Sequence, residues 1–484
     1  MTSLRSQTLR RILALLFVVS LAFAIRSLTA NFIRAHFDDP GWFQFGSYAV
    51  FDRQAQAILD RKEPVFWIND PSRTDRVVYP PGYPLWMALV YGLTGQRTPA
   101  VLQHVQVIVD SLCVLLLVGI GATAYGWRVG LAAGVLSALS PLLAASGATP
   151  NADAPASWLV LGAVWLMLLA AKRQNVRHGP LARESVDPIT RRMRVPPVAF
   201  AAGAGALLGL ACWLRVNPLL LFVVWGAALT LFLRVAWRLR VWLGGALTLS
   251  TLLVISPVVI RNLVVFYPEV APTGLGVGWN LWAGIGETER GPEFGAPCCD
   301  DQMLEQDRRE MGRPDDSTIG LFWPDGIRRD RERGRKALVV IKSHPLWYTG
   351  VMARRVWGHL KFAGDPVPGM GSAGFNLTSR KSLSPNYQSG ILAAAVNVLG
   401  MLQSVMRYLA LPLMIAGIAL ALRKDWRTTG LILTTVMYYL ATLAVGHSEI
   451  RYGLPMQALL FIFAGIAVCS LGAAAGRFWQ QRKN

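Results

Sequence analysis

An acidic pair stands where the first long apolar stretch of the chain ends, in the sequence AHFDDPGW. A carboxylate at this position, in Asp38 or Asp39, can act as a general base toward a hydroxyl group presented at a membrane surface. The pair can also have a structural role, because aspartate is a good helix N-cap and the following Pro40 suits the first helical position. The sequence therefore predicts Asp38 and Asp39 as candidate bases, with a helix cap as the alternative.

Further polar residues stand at the ends of later apolar stretches, within TPNADAP, LRVNP, SPVVIRN and HSEIRYGLP. They are Asn151, Asp153, Arg215, Arg261, Glu449 and Arg451. An arginine near the membrane is costly unless it is paired or contacts an anion, and its guanidinium suits a phosphate bidentately. Taken singly, each arginine is more often an interface residue, and Asp153 can cap the following helix. Taken together, the residues predict a site for a phosphate-bearing lipid.

Several other chemistries lack their motifs. The chain contains no P-loop, GxSxG, HExxH or paired CxxC sequence, which argues against nucleotide hydrolysis, serine hydrolysis and zinc peptidase chemistry. We predict no metal-ligating residue and no certain cofactor, and a divalent metal stays possible. The formal charge of +20 comes from basic tracts between apolar stretches, as membrane topology requires, so nucleic-acid binding is not predicted.

Membrane-spanning helices must position these residues. The chain has 484 residues, of which 53% are hydrophobic, and a span needs about 20 apolar residues. The sequence therefore predicts an all-α polytopic membrane protein. Ten spans are predicted, near residues 10–30, 100–124, 128–146, 154–171, 198–214, 217–233, 240–260, 403–422, 428–446 and 454–473.

The distribution of basic residues predicts the orientation of these spans. The basic segments are 172–194, 234–240, 423–427 and 477–483. The links on the opposite side are short and carry few charges. Both termini are therefore expected in the cytoplasm, and the candidate site on the external face of the membrane. We expect a transmembrane core at 1–260 with a first external loop at 31–99, a second external region at 261–402, and C-terminal spans at 403–484.

Surface helices are expected in both external regions. Phe51 and Ala55 recur at helical spacing with Asp52 on another face, and residues 85–93 are apolar but too short to span comfortably. Both patterns suit helices lying in the headgroup plane. The turn YPPGYP, which contains Tyr83, is rigid and would hold this loop against the membrane. Residues 389–402 are predicted as another surface helix leading into a span, or as part of that span.

The ordered motifs resemble those of the GT-C class of integral-membrane glycosyltransferases, which includes protein O-mannosyltransferases and lipid A aminoarabinose transferases. The matching segments extend over nearly the whole chain. They are the acidic pair, PPGYPLWMALVYGLTG, TPNADAPASWLVLGAVW, LRVNP, SPVVIRN with GVGWNLWAGIG, HPLWYTGVMARRVWGHL and HSEIRYGLP. The resemblance implies a sugar donor on a polyprenyl phosphate, such as undecaprenyl phosphate. It also implies inverting transfer to an acceptor hydroxyl of a protein, lipid or glycan at the external face.

The resemblance also implies roles for individual residues. Asp38 or Asp39 matches the acidic residue that deprotonates the acceptor, with Asp52 as an open alternative. Asp153 matches an acidic residue that positions donor or acceptor. Arg215 matches a basic residue near the donor.

Further residues are expected to contact the donor phosphate or to position substrate. The phosphate contacts are Arg261, Arg451 and His104, and the positioning residues are Asp52, Tyr83, Asn151 and Glu449. The chain has Gln103 and His104 where relatives often have arginine or lysine, so either His104 or Arg97 takes that phosphate contact.

Two other classes of function stay open at this stage. A transporter or lipid flippase would depend on charges within the spans, such as Asp110, which is a functional candidate by its position. The chain shows no inverted repeat with paired broken helices, which many transporters have. A non-catalytic scaffold of a polysaccharide-assembly complex would tolerate loss of the acidic residues and would depend on residues 262–402.

Overall fold

The computed structural model describes residues 2–34, 37, 45–62, 80–178, 196–269, 274–360, 389–447 and 449–483. This part of the chain is helical and contains no β-strand beyond one isolated bridge. The α-helices are α1 Thr2–Arg34, α2 Phe45–Leu59, α3 Gly82–Thr94, α4 Pro99–Tyr125, α5 Trp127–Leu139, α6 Pro141–Ala148, α7 Asp153–His178, α8 Pro197–Leu214, α9 Leu221–Phe232, α10 Trp237–Val265, α11 Val277–Gly286, α12 Asp300–Glu310, α13 Gly326–Ser343, α14 Pro345–Leu360, α15 Gly390–Val445 and α16 Leu454–Lys483.

Seven of the described helices are long and apolar enough to cross a membrane, namely α1, α4, α7, α8, α10, α15 and α16. The consecutive helices α5 and α6 meet at a bend of 66° and together make an eighth candidate. The prediction of an all-α polytopic membrane protein is therefore confirmed.

The predicted set of ten spans differs from the structure in one place. The predicted spans 403–422 and 428–446 lie on either side of Asp425 (φ −155°, ψ 80°), where a kink divides the 56-residue helix α15 into two helical segments. The predicted span 217–233 corresponds to α9, which has 12 residues. At 1.5 Å per residue α9 is only about 18 Å long, shorter than the roughly 30 Å apolar core of a bilayer. The prediction of a full span there is wrong.

Residues 389–402 agree with the second of their two predicted arrangements. They do not form a separate surface helix, because α15 begins at Gly390 and continues past residue 402 without a break. Ile391 and Leu392 in its first turn are exposed apolar residues, as on the lipid-facing side of a span. This segment is therefore continuous with the spanning helix.

Two glycines allow α8 and α10 to pack closely. A Cβ atom on Gly205 would overlap the carbonyl oxygen of Leu247, and one on Gly209 would lie 3.0 Å from that of Thr251. Thr251 Oγ1 donates to the Gly205 carbonyl at 3.0 Å. Small residues four apart are a common means of close helix packing in membranes. This packing fixes the end of α8, where Arg215 is the C-cap residue.

The two predicted helices of the first external loop are present as α2 and α3. Phe51 and Ala55 of α2 are buried, as their spacing predicts, and the Phe51 ring meets the ring of Tyr83 edge-on at 5.1 Å. A Cβ atom on Gly82 would lie 2.5 Å from the carbonyl oxygen of Trp213, so the start of α3 is in close contact with the end of α8.

Residues 274–360, which we call the polar unit, contain α11 to α14 and a small core of their own. The core residues include Trp282, Met303, Ala337, Tyr348 and Val351. On one side, α14 packs against the spans, because Val356 and Leu360 contact the main membrane core. The polar unit is therefore attached to the membrane bundle through a packed helix.

The glycine packing between α8 and α10 gives a stability prediction. Replacing Gly205 by Ala should lower the thermal unfolding midpoint of the detergent-solubilised protein, because overpacking costs about 1–3 kcal/mol. Gly244→Ala is the matched control, since no atom lies within 4 Å of its Cβ position. Both changes gain the same helix propensity, about 1 kcal/mol. Equal midpoints for the two variants would contradict the close packing.

Candidate functional site

The first residue of α7 and the C-cap residue of α8 form an ion pair. The Arg215 Nε lies 2.7 Å from Asp153 Oδ1, and its Nη2 donates to Asp153 Oδ2 at 2.9 Å. The same Nη2 donates to Oδ1 of Asn151 at 2.9 Å. The side chain of Asp153 is 5% exposed and that of Arg215 is 23% exposed. The carboxylate is therefore enclosed, while the guanidinium retains an accessible edge.

A second arginine approaches the same carboxylate from the link between α15 and α16. The Arg451 Nε lies 3.7 Å from Asp153 Oδ2, and its Nη2 donates to Glu449. The ring of Tyr452 lies 5.7 Å from the Arg215 guanidinium and 5.5 Å from that of Arg451, a cation–π arrangement. The structure thus brings together five of the predicted site residues, which we call the charged cluster: Asn151, Asp153, Arg215, Glu449 and Arg451.

The charged cluster continues into a pair that sequence reasoning missed. His447 Nδ1 bonds to Glu287, and His447 Nε2 lies 3.9 Å from Glu449 Oε1. Burial alone would lower the pKa of His447, but its hydrogen bond with Glu287 and the nearby Glu449 carboxylate outweigh burial and raise it to about 9. His447 is therefore protonated at neutral pH and joins two carboxylates. The nearest sequence signal was position, since Glu287 directly follows GVGWNLWAGIG and His447 begins HSEIRYGLP.

The Tyr83 side chain supports the segment that leads into the charged cluster. Its hydroxyl donates to Gln106 Oε1 at 3.1 Å, and Gln106 Nε2 donates to the Thr149 carbonyl at 2.5 Å. Gln106 thereby fixes the segment that leads into Asn151 and Asp153. Tyr83 is fully buried, so the structure gives it a supporting position behind the candidate site.

Asp110 has the partner that the sequence could not identify. Its carboxylate accepts hydrogen bonds from Arg26 of α1 and from the indole of Trp158 of α7. Asp110 is 8% exposed and Arg26 is 2% exposed. A buried charge in a span is tolerated when it is paired. The ion pair joins α1 to α4, and the hydrogen bond from Trp158 adds α7.

Asp52 lies in a hydrogen-bond network of its own. Its Oδ1 accepts from the hydroxyl groups of Tyr91 at 2.7 Å and Tyr48 at 3.2 Å, and its Oδ2 accepts from Gln56 at 2.6 Å. Both carboxylate oxygens are therefore engaged, and the bond from Tyr91 to Oδ1 joins α2 to α3. This arrangement suits a structural residue better than a base or a substrate contact.

The remaining predicted residues have other neighbours. His104 lies beside Arg34, whose Nη2 is 3.2 Å from its Nε2, and Arg97 is paired with Asp60 at 2.7 Å. Arg261 is buried near the end of α10 and donates to Asn262 at 2.6 Å. The proposed bases, Asp38 and Asp39, lie outside the described residues.

The described residues include no group of three or more His, Cys, Asp or Glu side chains arranged to hold a metal ion. The five residues of the charged cluster are instead engaged in ion pairs or hydrogen bonds with each other. The two arginines are balanced by two carboxylates, and the partly exposed edge of the Arg215 guanidinium is what the charged cluster offers a ligand.

Part of the chain matches a family of lipid-dependent transferases. Residues 78–183 match the model of the family described as dolichyl-phosphate-mannose-protein mannosyltransferase. No curated protein matches the chain by sequence.

Comparison with solved structures identifies the fold. The archaeal oligosaccharyltransferase AglB from Archaeoglobus fulgidus, in complex with an inhibitory peptide and a dolichol-phosphate, is similar with a TM-score of 0.54 and 12% identity. The similarity covers 99% of this chain and 52% of that one. The apo form of the oligosaccharyltransferase from the same organism gives a TM-score of 0.53 at 12% identity, covering 98% and 52%. The chain thus spans about half the length of these relatives.

A third solved structure is less similar. ArnT from Cupriavidus metallidurans, bound to undecaprenyl phosphate, has a TM-score of 0.35 at 14% identity, with 96% of this chain and 78% of that chain covered. The archaeal structures and the family match together identify the fold as that of the GT-C class of integral-membrane glycosyltransferases. The resemblance inferred from the motifs is therefore confirmed for the fold.

The Asp153–Arg215 pair gives a prediction about coupling. Asp153→Asn or Arg215→Gln alone leaves one charge enclosed without its partner, which costs up to about 3 kcal/mol. The double variant should lose less stability than the two single variants lose in sum, because it removes both charges. Unfolding midpoints of the four solubilised proteins measure this coupling. Strictly additive effects would show that the two charges do not depend on each other.

Proposed function

We propose that this chain is a GT-C glycosyltransferase that moves a sugar from a polyprenyl-phosphate donor to an acceptor hydroxyl. The observation that carries the proposal is the charged cluster, in which two arginines converge on one enclosed carboxylate at the ends of spans. The fold and the family match support the same reaction class. The family description names a dolichyl-phosphate sugar, and the archaeal relative was solved with a dolichol-phosphate.

The arginines suit the phosphate of such a donor. Among the described residues, the contacts of Arg215 with Asp153 and Asn151 use its Nε and Nη2. The N–H groups of Nη1 can therefore face a ligand, and the guanidinium is partly exposed. A phosphate leaves readily when cations neutralise its developing charge. Arg215 and Arg451 would supply that charge, with Arg261 and His104 as proposed further contacts.

Asp153 suits a positioning role better than that of a free base. Its carboxylate is bound by Arg215 and approached by Arg451, so it orients both guanidinium groups. We assign the base to Asp38 or Asp39. A single in-line attack by the deprotonated acceptor would invert the anomeric centre without a covalent intermediate. Asn151 and Glu449 would complete the positioning of the arginines.

The proposed orientation follows from the basic links. The charged cluster lies at the ends of α7, α8 and α15, opposite Lys172 and the basic segment 423–427. By the positive-inside rule this end faces outward. We therefore propose a multi-pass protein of a bacterial inner membrane, with both termini cytoplasmic and acceptors at the external face. The polar unit, at that same face, would help to select a protein, lipid or glycan acceptor.

A transporter or flippase is less well supported. That function would depend on a charge within a span that can change its partner or protonation during transport. Asp110, the candidate for this role, is bound by both Arg26 and Trp158. These two contacts explain Asp110 as part of a structural ion pair between spans.

Donor binding gives the first test of the proposal. Arg215→Gln should lower kcat/KM for an undecaprenyl-phosphate-linked sugar by about 100-fold, because one cation of the leaving phosphate is lost. The measurement is release of undecaprenyl phosphate from a panel of such hexoses and pentoses, in membranes that contain native acceptors. Arg335→Gln is the matched control, since Arg335 is 71% exposed and pairs with Glu332 on the surface. Equal kcat/KM in both variants would contradict the assignment.

The base assignment needs a separate test. Asp38→Asn and Asp39→Asn should differ, with one of them reducing kcat by at least about 100-fold, because general base catalysis contributes roughly that much. Donor affinity should change little in the same variant, since the base contacts the acceptor. Single-turnover rates at saturating donor measure this difference. Full transfer by both variants and by Asp153→Asn would rule out the proposed mechanism.

A further inference from the structure

Helix α11 is fixed at its beginning by a carboxylate of the polar unit. Asp330 of α13 accepts hydrogen bonds from the backbone N–H groups of Trp279 at 2.8 Å, Gly276 at 3.2 Å and Gly278 at 3.3 Å. A carboxylate at a helix N-terminus satisfies unpaired donors and interacts favourably with the helix dipole. The position of α11 is therefore set by the polar unit.

The other end of α11 is in close contact with the link between α15 and α16. The backbone N–H of His447 donates to the Asn280 carbonyl at 2.5 Å. A Cβ atom on Gly284 would lie 2.5 Å from the His447 nitrogen, so only glycine permits this approach. Arg355 of α14 donates to the carbonyls of Gly284 and Ala444 and holds both partners. Backbone contacts thus bring α11 against the link at residues 446–453.

The side chain of His447 connects this contact to the charged cluster. It bonds to Glu287, the C-cap residue of α11, and approaches Glu449, which in turn accepts from Arg451. Arg451 approaches Asp153. A continuous series of charge contacts therefore runs from the polar unit to the candidate phosphate site.

We infer that His447, held between Glu287 and Glu449, is a positioning residue that fixes Arg451 for binding of the donor phosphate. The inference rests on the proposed function, because it concerns the phosphate site of that reaction. His447 itself does not contact the phosphate. It acts by joining the polar unit to the link that carries Arg451, so that movement of α11 and donor binding become coupled.

The charges around His447 favour its protonated form. Glu287 faces it from α11, Asp300 from α12, and Glu449 and Arg451 from its own link, while Arg355 of α14 lies behind Gly284. The three carboxylates outnumber the two arginines. A protonated ring can donate from both nitrogens, whereas a neutral ring can donate from one only. Loss of the proton near pH 9 would remove the positive charge that Glu449 faces and leave the ring only its hydrogen bond with Glu287.

The sign of the pH effect follows from the raised pKa. The folded-state pKa of His447 is about 9, above its ordinary value of 6.5, so the contact is fully formed below about pH 6.5 and is lost as the pH rises through 9. Donor binding should weaken over the same range. Glu449, whose pKa is lowered by His447 and Arg451 despite burial, stays ionised throughout.

The test is the pH dependence of the donor KM, with undecaprenyl-phosphate-linked sugar, from pH 6.5 to 10. In the wild-type protein KM should rise about 10-fold between pH 8 and pH 10, while kcat changes less than about twofold. His447→Gln and Glu287→Gln should already have the raised KM at pH 7 and should show a flat profile. A rise that persists unchanged in His447→Gln, or a flat wild-type profile, would overturn the inference.

His344→Gln is the matched control, because His344 lies in the polar unit against Phe294 and Trp347, away from the charged cluster. It should retain the wild-type KM and its alkaline rise. Equilibrium binding of undecaprenyl phosphate alone gives a second readout for the same four proteins. If the wild-type protein transfers no sugar from any donor, the proposed function fails. The positioning role of His447 is then judged by whether His447→Gln removes the pH dependence of lipid phosphate binding, and an unchanged dependence overturns that role.

Discussion

The ion pair between Asp153 and Arg215 is the interaction on which the site depends. A charge at the end of a membrane span is costly unless a partner neutralises it, so two helices that carry opposite charges must end at the same place. The packing agrees with this constraint, because α8 reaches its position through close contact with α10 and with the start of α3. Gln106 fixes the segment before Asp153 from the other side. The enclosed carboxylate can then orient Arg451 as well.

The polar unit extends the same principle away from the membrane. Asp330 holds the beginning of α11, and Glu287 at its end meets His447 of the link between α15 and α16. From Glu287 onward each step places a charge beside its counterion, through His447 and Glu449 to the arginines of the charged cluster. The region that would meet the acceptor is thus physically connected to the residues that would hold the donor. Such a connection would allow acceptor binding to influence the donor site.

Local sequence patterns predicted much of the fold and part of the site. Apolar runs located the spans, and short links with few charges placed Asp153, Arg215 and Arg451 at one end of the bundle. The length of α9 was not predictable, because periodicity does not show where an apolar run leaves the helix. The pairing of His447 with Glu287 was not predictable either. The two residues are 160 positions apart in the chain and are brought together only by the packing of α11.

A structure of the protein with undecaprenyl phosphate bound in a lipid nanodisc would test the central claim most directly. The account predicts the phosphate within hydrogen-bond distance, about 3 Å, of guanidinium nitrogens of both Arg215 and Arg451. Asp153 should remain between the two side chains, with its carboxylate on Arg215. A phosphate bound elsewhere on the protein, with Arg215 and Arg451 still engaged only by Asp153, Asn151 and Glu449, would contradict it.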